Sequence, residues 1–203
     1  MPGFALSPEH VQALAQGDAL FVDRLLGEQG ARVCLEGLRA LAPRLVPARI
    51  GRGGMTRVDP TIRSDRVLLL HPGEPVPSGL ERLFAWYALL GRALSAGTGE
   101  PLAGFEVQVS CYGADGAHYT RHTDAEASRR WRRYSALYYP EASRRVEHGG
   151  ALRLYTASGP REVIPGNDRA VVFRADEVPH EVLPARRERW AVTAWYLATA
   201  DAD

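Results

Sequence analysis

Hydrophobic and polar positions divide the chain into a helical first half and a strand-rich second half. Before Pro101, apolar residues recur every three or four positions, as they do in helices that bury one face. This spacing predicts three helices, which begin after the Ser7-Pro8 cap, at residue 28 and at residue 81, the last two ending near 41 and 94. Residues 19–22 fit either a short strand or a helix, and residues 62–70 are predicted as a strand.

After Pro101, short β-prone runs are separated by Gly, Pro and Asp. The runs cover residues 105–112, 134–139, 150–155, 161–164, 170–174 and 190–197. Strands at this spacing are typical of a β-sandwich or barrel, and helices followed by strands indicate an α+β fold. We expect one domain over 1–203, with helices and a mobile loop up to residue 60. Residues 61–198 would then form a double-stranded β-helix (a cupin-like jelly roll) packed against the N-terminal and supporting helices.

Composition mainly excludes classes of protein. A formal net charge of +1 argues against a protein dedicated to nucleic acid, although the basic segment 129–133 could form a local patch. The two cysteines, Cys34 and Cys111, cannot build a disulfide framework or a Cys-rich zinc site. The N-terminus lacks a signal-peptide pattern, and no apolar run approaches the ~20 residues that cross a bilayer. We therefore expect a cytoplasmic protein with no membrane partner.

Three residues suggest a metal site. In an extended strand, side chains two apart point to the same side, so His122 and Asp124 would project together. His180 would complete a triad of two histidines and one carboxylate, which leaves coordination positions open and suits non-haem Fe(II). An H-x-D tripeptide is a weak signal in a chain with six histidines. The structural alternative is a hydrogen-bonded His-Asp pair at a strand end.

An arginine begins the last predicted strand, nine residues after His180. One face of that strand carries Arg189, Ala191, Thr193, Trp195 and Leu197. A guanidinium is costly to bury unless it meets an anion, and its planar fork matches a carboxylate. Arg189 therefore predicts a fixed anionic partner near the metal. The alternative is an arginine that reaches solvent at the strand end beside Glu188 or Glu181.

Several motifs occur in the order and at the intervals found in one enzyme family. They are Ile62-Arg63-Ser64-Asp65, Cys111-Tyr112, Tyr119-x-Arg121-His122-x-Asp124, Tyr138-Tyr139, Gly149-Gly150-x-Leu152-Arg153, Pro179-His180-Glu181-Val182 and Arg189-x-Ala191-x-Thr193-x-Trp195-Tyr196. On these motifs the chain resembles the Fe(II)- and 2-oxoglutarate-dependent oxygenases. Within them it is most similar to the prolyl hydroxylases related to the enzymes that modify hypoxia-inducible factor. The resemblance covers residues 60–198.

The resemblance implies a role for each matching residue. His122, Asp124 and His180 would bind iron. Arg189 would bind the distal carboxylate of 2-oxoglutarate with help from the Tyr139 hydroxyl. The other cosubstrate-pocket positions are Tyr112, Thr193, Leu137, Leu152, Val182 and Trp195. Dioxygen would be the second cosubstrate, with ascorbate as a stimulant. Because the carboxylate that halogenating relatives lack is present here, hydroxylation is expected.

The family also implies a substrate, a proline in a peptide or protein loop. Arg63 and Asp65 would lie near the peptide groove, with the 51–60 loop helping to clasp the substrate. Bacterial, free-standing relatives indicate a translation elongation factor as the protein partner and a monomeric enzyme. Three alternatives stay open: a small-molecule hydroxylase, a nucleic-acid demethylase and a non-catalytic metal-binding β-sandwich. The demethylases carry a second arginine where this chain has Trp195.

Overall fold

The computed structural model of the protein describes residues 5–51, 55–71, 73–125 and 131–199. Its helices are α1 (Pro8–Ala15), α2 (Gly27–Ala40) and α3 (Glu81–Thr98), with single 3-10 turns at Ala42–Arg44 and Val146–His148. Its strands are β1 (Leu20–Val22), β2 (Val46–Pro47), β3 (Arg66–Leu70), β4 (Leu102–Tyr112), β5 (Tyr119–His122), β6 (Arg132–Tyr139), β7 (Leu152–Thr156), β8 (Gly159–Val163), β9 (Arg169–Arg174), β10 (His180–Val182) and β11 (Arg189–Ala198).

The three predicted helices are present, and local signals explain where they begin and end. The hydroxyl of Ser7 accepts a hydrogen bond from the backbone N–H of His10, and Pro8 occupies the first turn of α1. Helix α3 continues four residues beyond the predicted end. It stops at Gly99, which adopts a left-handed φ of 75° that a glycine takes at little cost.

Two antiparallel sheets form the jelly roll that was expected. The larger sheet has the strand order β1-β9-β6-β11-β4-β3-β2, and the smaller has the order β5-β10-β7-β8. Strand β6 shows how both faces of the larger sheet are used. Tyr134, Ala136 and Tyr138 pack in a cluster with the helices, whereas Leu137 and Tyr139 pack against the smaller sheet. This period of two places the alternate residues of β6 between the sheets.

Some predicted boundaries were wrong. The strand predicted from residue 62 begins at Arg66, because residues 62–65 instead cross towards the smaller sheet. There the backbone of Thr120 donates to the carbonyl of Ile62, and Arg63 forms an isolated bridge with Tyr119. The short strands β2, β5 and β10 were not among the predicted runs, since two to four residues are too few for a clear alternation. Residues 19–22 resolve as a strand, β1.

Two expectations fall partly outside the described residues. The predicted mobile loop 51–60 includes residues 52–54, and the basic segment 129–133 includes residues 129 and 130. On the described side of the loop, Ile50 and Arg57 pair as an antiparallel bridge. Among the helices of the described residues, none has the length and apolar character required to span a bilayer.

Candidate active site

The three predicted metal ligands meet at one edge of the smaller sheet. His122 ends β5 and His180 begins β10, and the antiparallel register pairs these two residues directly. Asp124 lies beyond the end of β5, so the strand geometry used to predict its direction was wrong. Its backbone N–H instead donates to the carbonyl of Ala175 over 3.0 Å, and this bond brings the carboxylate towards the imidazoles. One potential ligand atom from each of the three side chains lies within 4.8 Å of the others.

The backbone fixes which nitrogen of each imidazole is free. Nδ1 of His122 lies 2.8 Å from the carbonyl oxygen of Thr120, and Nδ1 of His180 lies 3.1 Å from that of Val178. A carbonyl can only accept, so each Nδ1 carries the proton and each Nε2 keeps its lone pair. The Nε2 atoms of His122 and His180 are 3.7 Å and 3.6 Å from the oxygens of Asp124. The lone pairs therefore converge on the carboxylate.

Electrostatics keep this site in the protonation state that a metal needs. Burial, followed by the neighbouring His180, lowers the pKa of His122 to about 3, so its imidazole is neutral at physiological pH. Burial opposes ionisation of Asp124, but His180 and His122 outweigh it and lower the pKa of that carboxyl to about 2. His122 thus offers a neutral imidazole and Asp124 an ionised carboxylate, and neither has to lose a proton before it binds a metal.

Arg189 lies at the other end of the same pocket and has no carboxylate partner among the described residues. The residue is 1% exposed, and its Nη2 donates to the hydroxyl of Tyr139 over 3.2 Å. Its guanidinium carbon sits 4.6 Å from the ring centre of Tyr112. The two acids considered as alternatives are engaged elsewhere: Glu188 accepts from the Trp190 indole, and Glu181 pairs with Arg153.

The buried Nε of Arg189 has no hydrogen-bond partner in the described structure, so a buried positive charge is left only partly satisfied. Burial of a cation without an anion is costly, and an anionic ligand would remove that cost. The fork of Arg189 and the hydroxyl of Tyr139 offer the donors for one carboxylate. The expectation of an arginine that merely reaches solvent does not fit this geometry.

One pocket joins the metal triad to Arg189. Its lining comprises Arg63, Gln108, Ser110, Tyr112, Tyr119, His122, Asp124, Arg132, Leu137, Leu152, His180, Val182, Arg189, Ala191, Thr193 and Trp195. The structure therefore brings together every predicted site residue except two. The two are Tyr139, whose hydroxyl accepts a hydrogen bond from Arg189, and Asp65, which is 2% exposed and forms a salt bridge with Arg63.

The Arg63–Asp65 pair connects the pocket rim to the metal triad. Nε and Nη2 of Arg63 donate to the two oxygens of Asp65 over 2.8 Å and 2.6 Å. The same guanidinium lies 4.2 Å from the ring centre of Tyr119, which stacks on His122 at 3.6 Å between ring centres. Asp65 therefore reaches the pocket only through Arg63, which it holds over the tyrosine.

Several site residues were not identified in the sequence. The hydroxyl of Ser135 donates to Oδ2 of Asp124 over 2.7 Å. Arg132 lies over the Trp195 ring at 3.6 Å and pairs with Glu106. Ser135 could have been found, because the alternation in β6 puts it on the same face as the predicted Leu137 and Tyr139. Arg132 was noted only as part of the basic segment 129–133. Alternation does not place it in the pocket, because the pairing of β6 with β11 shifts register between Tyr134 and Arg132.

The donor set fits a divalent iron ion. Two imidazoles and one carboxylate on one side, with no fourth ligand group from the described residues, leave positions open for other ligands. The partly satisfied guanidinium of Arg189 supplies the matching site for a carboxylate at the far end of the pocket. Together these features define a non-haem metal site with an adjacent anion site on a jelly roll.

Comparison with known proteins agrees with this class. The family profile of the 2OG-Fe(II) oxygenase superfamily matches residues 107–197. A crystal structure of a Pseudomonas putida prolyl-4-hydroxylase superposes with a TM-score of 0.80 at 30% identity, covering 94% of this chain and 97% of that one. The chain belongs to the 2OG-Fe(II) oxygenase superfamily, whose chemistry uses Fe(II), 2-oxoglutarate and O2.

Other proteins similar to this chain are also named as prolyl hydroxylases. A Trichoplax adhaerens prolyl hydroxylase, solved in complex with a peptide of hypoxia-inducible factor, has a TM-score of 0.79 at 25% identity and covers 93% of this chain and 87% of that one. The Caenorhabditis elegans hypoxia-inducible factor prolyl hydroxylase is 35% identical over 99 residues, which are 47% of this chain. Human prolyl hydroxylase EGLN3 is 35% identical over 96 residues. These matches span only 14% and 40% of the two curated relatives.

Proposed function

We propose that this protein hydroxylates a prolyl residue in a protein or peptide, with 2-oxoglutarate as the cosubstrate that is converted to succinate. The observation that carries the proposal is the buried Arg189, whose charge has no carboxylate partner in the described structure and which shares a pocket with the metal triad. A pocket with a metal site at one end and a carboxylate site at the other fits a short 2-oxo diacid. The similarity to prolyl hydroxylases supports the substrate class.

Each residue then has a physical task. His122, Asp124 and His180 would hold Fe(II), which together with 2-oxoglutarate and O2 supplies the oxidising chemistry when bound. Arg189 and Tyr139 bind the distal carboxylate and so fix the orientation of the cosubstrate. Apolar wall residues exclude water from the reacting end. These are Leu137, Leu152 and Val182.

The peptide would enter over the rim formed by Arg63 and Tyr119. Arg63 lines the pocket, whereas Asp65 is buried beneath it, so we assign contact with the substrate to Arg63 and support of Arg63 to Asp65. Since Tyr119 stacks on His122, a peptide that rests on this rim would be held next to the metal triad. This arrangement supports a peptide more than a small molecule, which would require a closed cavity.

The nucleic-acid alternative has less support from the site. The position at which demethylases carry a second arginine is Trp195, and its ring lies under the guanidinium of Arg132. That guanidinium pairs with Glu106 over 2.9 Å, so its charge is compensated by the protein itself. A phosphate or base would compete with this ion pair for Arg132.

The test is mass spectrometry of proteins from a strain that lacks the gene, incubated with enzyme, Fe(II) and 2-oxoglutarate. A gain of one oxygen atom on a proline of one protein, absent with the His180→Ala variant, is the expected result. A translation elongation factor is the first defined substrate to assay. The enzyme itself is proposed to be a cytoplasmic monomer. Oxidation of a nucleobase or metabolite instead of a protein would overturn the substrate class, and retained turnover in His180→Ala would overturn the metal site.

A further inference from the structure

Strand β4 places a serine hydroxyl beside Arg189. Ser110 is 4% exposed, lines the pocket and pairs in register with Ala191 on β11. Arg189 pairs with Tyr112 in the same register, so Ser110 and Arg189 are diagonal neighbours on one face of the sheet. A long side chain can bridge that distance. Ala191, which also lines the pocket, has a small side chain and leaves space between Ser110 and its neighbours.

Tyr139 lies on the other side of Ala191 from Ser110. Strand β6 pairs Tyr138 with Val192, so the register puts Tyr139 beside Ala191 from the side opposite to Ser110. The guanidinium of Arg189 extends along the sheet as far as Tyr139, because its Nη2 lies 3.2 Å from the Tyr139 hydroxyl. A carboxylate held by Arg189 would therefore lie above Ala191, with one hydroxyl on each side.

The hydroxyl of Ser110 accepts one hydrogen bond and donates none among the described residues. The side-chain amide of Gln108 donates to the Ser110 oxygen over 3.0 Å, and this is the hydrogen bond that the described residues give to that hydroxyl. A buried hydroxyl whose oxygen already accepts turns its proton towards a further acceptor. Among the described residues, no group accepts a hydrogen bond from the Ser110 hydroxyl: Gln108 acts as donor and Arg189 has no acceptor atom. A ligand bound in the pocket can supply that acceptor.

We infer that Ser110 is a further cosubstrate-binding residue, whose hydroxyl donates to the distal carboxylate of the diacid held by Arg189, and that Gln108 orients this hydroxyl. The inference rests on the proposed function, since it requires a diacid in this pocket. It adds a third donor to the two that the guanidinium of Arg189 and the hydroxyl of Tyr139 supply. The Ser110 site selects for a chelating acid long enough to reach from the metal triad to β4.

The experiment measures binding, not turnover. The full chain is loaded with Mn(II) in place of Fe(II), and 2-oxoglutarate and oxalate are titrated into it by calorimetry. Oxalate can chelate the metal but is too short to reach Arg189. Because a hydrogen bond to a charged acceptor is lost, Ser110→Ala should weaken 2-oxoglutarate binding about 10- to 100-fold and leave oxalate binding unchanged. Ser110→Cys, which keeps the size but donates weakly, should fall between.

The controls separate this inference from the proposed function. Ser158→Ala removes a surface hydroxyl that bonds to Asp18 and should leave both affinities unchanged. If Ser110→Ala and Ser110→Cys keep the wild-type affinity for 2-oxoglutarate within two-fold, the inference is wrong while the proposed function stands. If Ser110→Ala weakens oxalate equally, Ser110 acts at the metal and not at the distal carboxylate. Failure of the wild-type chain to bind 2-oxoglutarate would overturn the proposed function itself.

Discussion

The hydroxyl of Ser135 donates to Oδ2 of Asp124 over 2.7 Å, and this bond orients the single carboxylate of the metal triad. Ser135 is fully buried in β6, in the larger sheet, while the two imidazoles come from the smaller sheet. The geometry of the triad therefore depends on both sheets. A residue in this position acts on the metal through the ligand that it holds.

Ser135→Ala should weaken metal binding about 10- to 100-fold, the range typical for loss of a hydrogen bond that orients a ligand. The reason is that Asp124 would keep its charge but gain freedom to rotate. Mn(II) titration followed by electron paramagnetic resonance measures the affinity. Ser158→Ala is a matched control, because it also removes a 2.7 Å Ser–Asp bond, but one at the exposed Asp18. Equal affinities in the two variants would show that Ser135 has no role in the metal site.

The three residues of the metal triad and the buried Arg189 could be picked out from the sequence. The alternation of β11 placed Arg189, Thr193 and Trp195 on one face, and all three line the pocket. Periodicity was sufficient here because a ten-residue strand repeats its pattern several times. The α+β jelly roll followed from the same patterns and from family resemblance together.

Apart from Ser135, the residues and bonds that position those groups could not be found in this way. Arg144, for example, donates to the backbone carbonyls of Arg187 and Glu188, next to Arg189. It lies in an irregular segment distant in sequence from β11, so no periodicity connects it with Arg189. Asp124 lies beside His122 as predicted, but a backbone bond to Ala175 and not strand alternation directs it there. Such contacts join segments that are far apart in the chain, so a local spacing pattern cannot predict them.

Gly150 should tolerate alanine less well than glycines of similar backbone conformation. Its φ is +69°, and an added Cβ would lie 3.0 Å from Cδ of Arg189. Gly150→Ala should therefore destabilise the fold by about 1–2 kcal/mol from backbone strain and also displace the guanidinium. We expect the dissociation constant for 2-oxoglutarate to rise about 10-fold, measured by calorimetry on the Mn(II)-loaded chain.

Gly99→Ala is the matched control for this contact. Gly99 has a φ of +75° and nothing within 4 Å of an added Cβ, so the variant carries the strain without the clash. Urea unfolding should show a similar loss of stability in both variants, and only Gly150→Ala should bind 2-oxoglutarate more weakly. A similar loss of cosubstrate affinity in Gly99→Ala would assign the effect to strain alone.

Both cysteine thiols should resist alkylation in the folded protein. Burial raises the pKa of Cys34 to about 12 and that of Cys111 to about 12. The reactive thiolate is therefore scarce at pH values well below 12, and Cys34 is also closed to solvent. Iodoacetamide at about pH 8 should label neither thiol in the native state and both in urea, as counted by intact mass. Rapid native labelling of Cys111 would contradict the raised pKa.

Arg144 fixes the backbone on either side of Arg189. Its Nη1 donates to the carbonyl of Glu188 over 2.6 Å, and its Nη2 to that of Arg187 over 3.2 Å. It also contacts Glu141, whose carboxylate accepts from the N–H of Trp190 over 3.1 Å. The residues just before and just after Arg189 are therefore tied to one buried ion pair.

Arg144→Gln should have two effects that can be measured separately. It leaves buried carbonyls and the Glu141 carboxylate without their donor, so we expect the free energy of unfolding to fall by about 3 kcal/mol in urea titration. Because the start of β11 is released, 2-oxoglutarate should also bind at least ~10-fold more weakly, while Mn(II) affinity stays the same. Arg145→Gln is the neighbouring control: Arg145 and its partner Glu147 have side chains 78% and 64% exposed, and surface pairs contribute about 0–1 kcal/mol. A fall in stability with unchanged cosubstrate affinity would make Arg144 a support of the fold and not of the cosubstrate site.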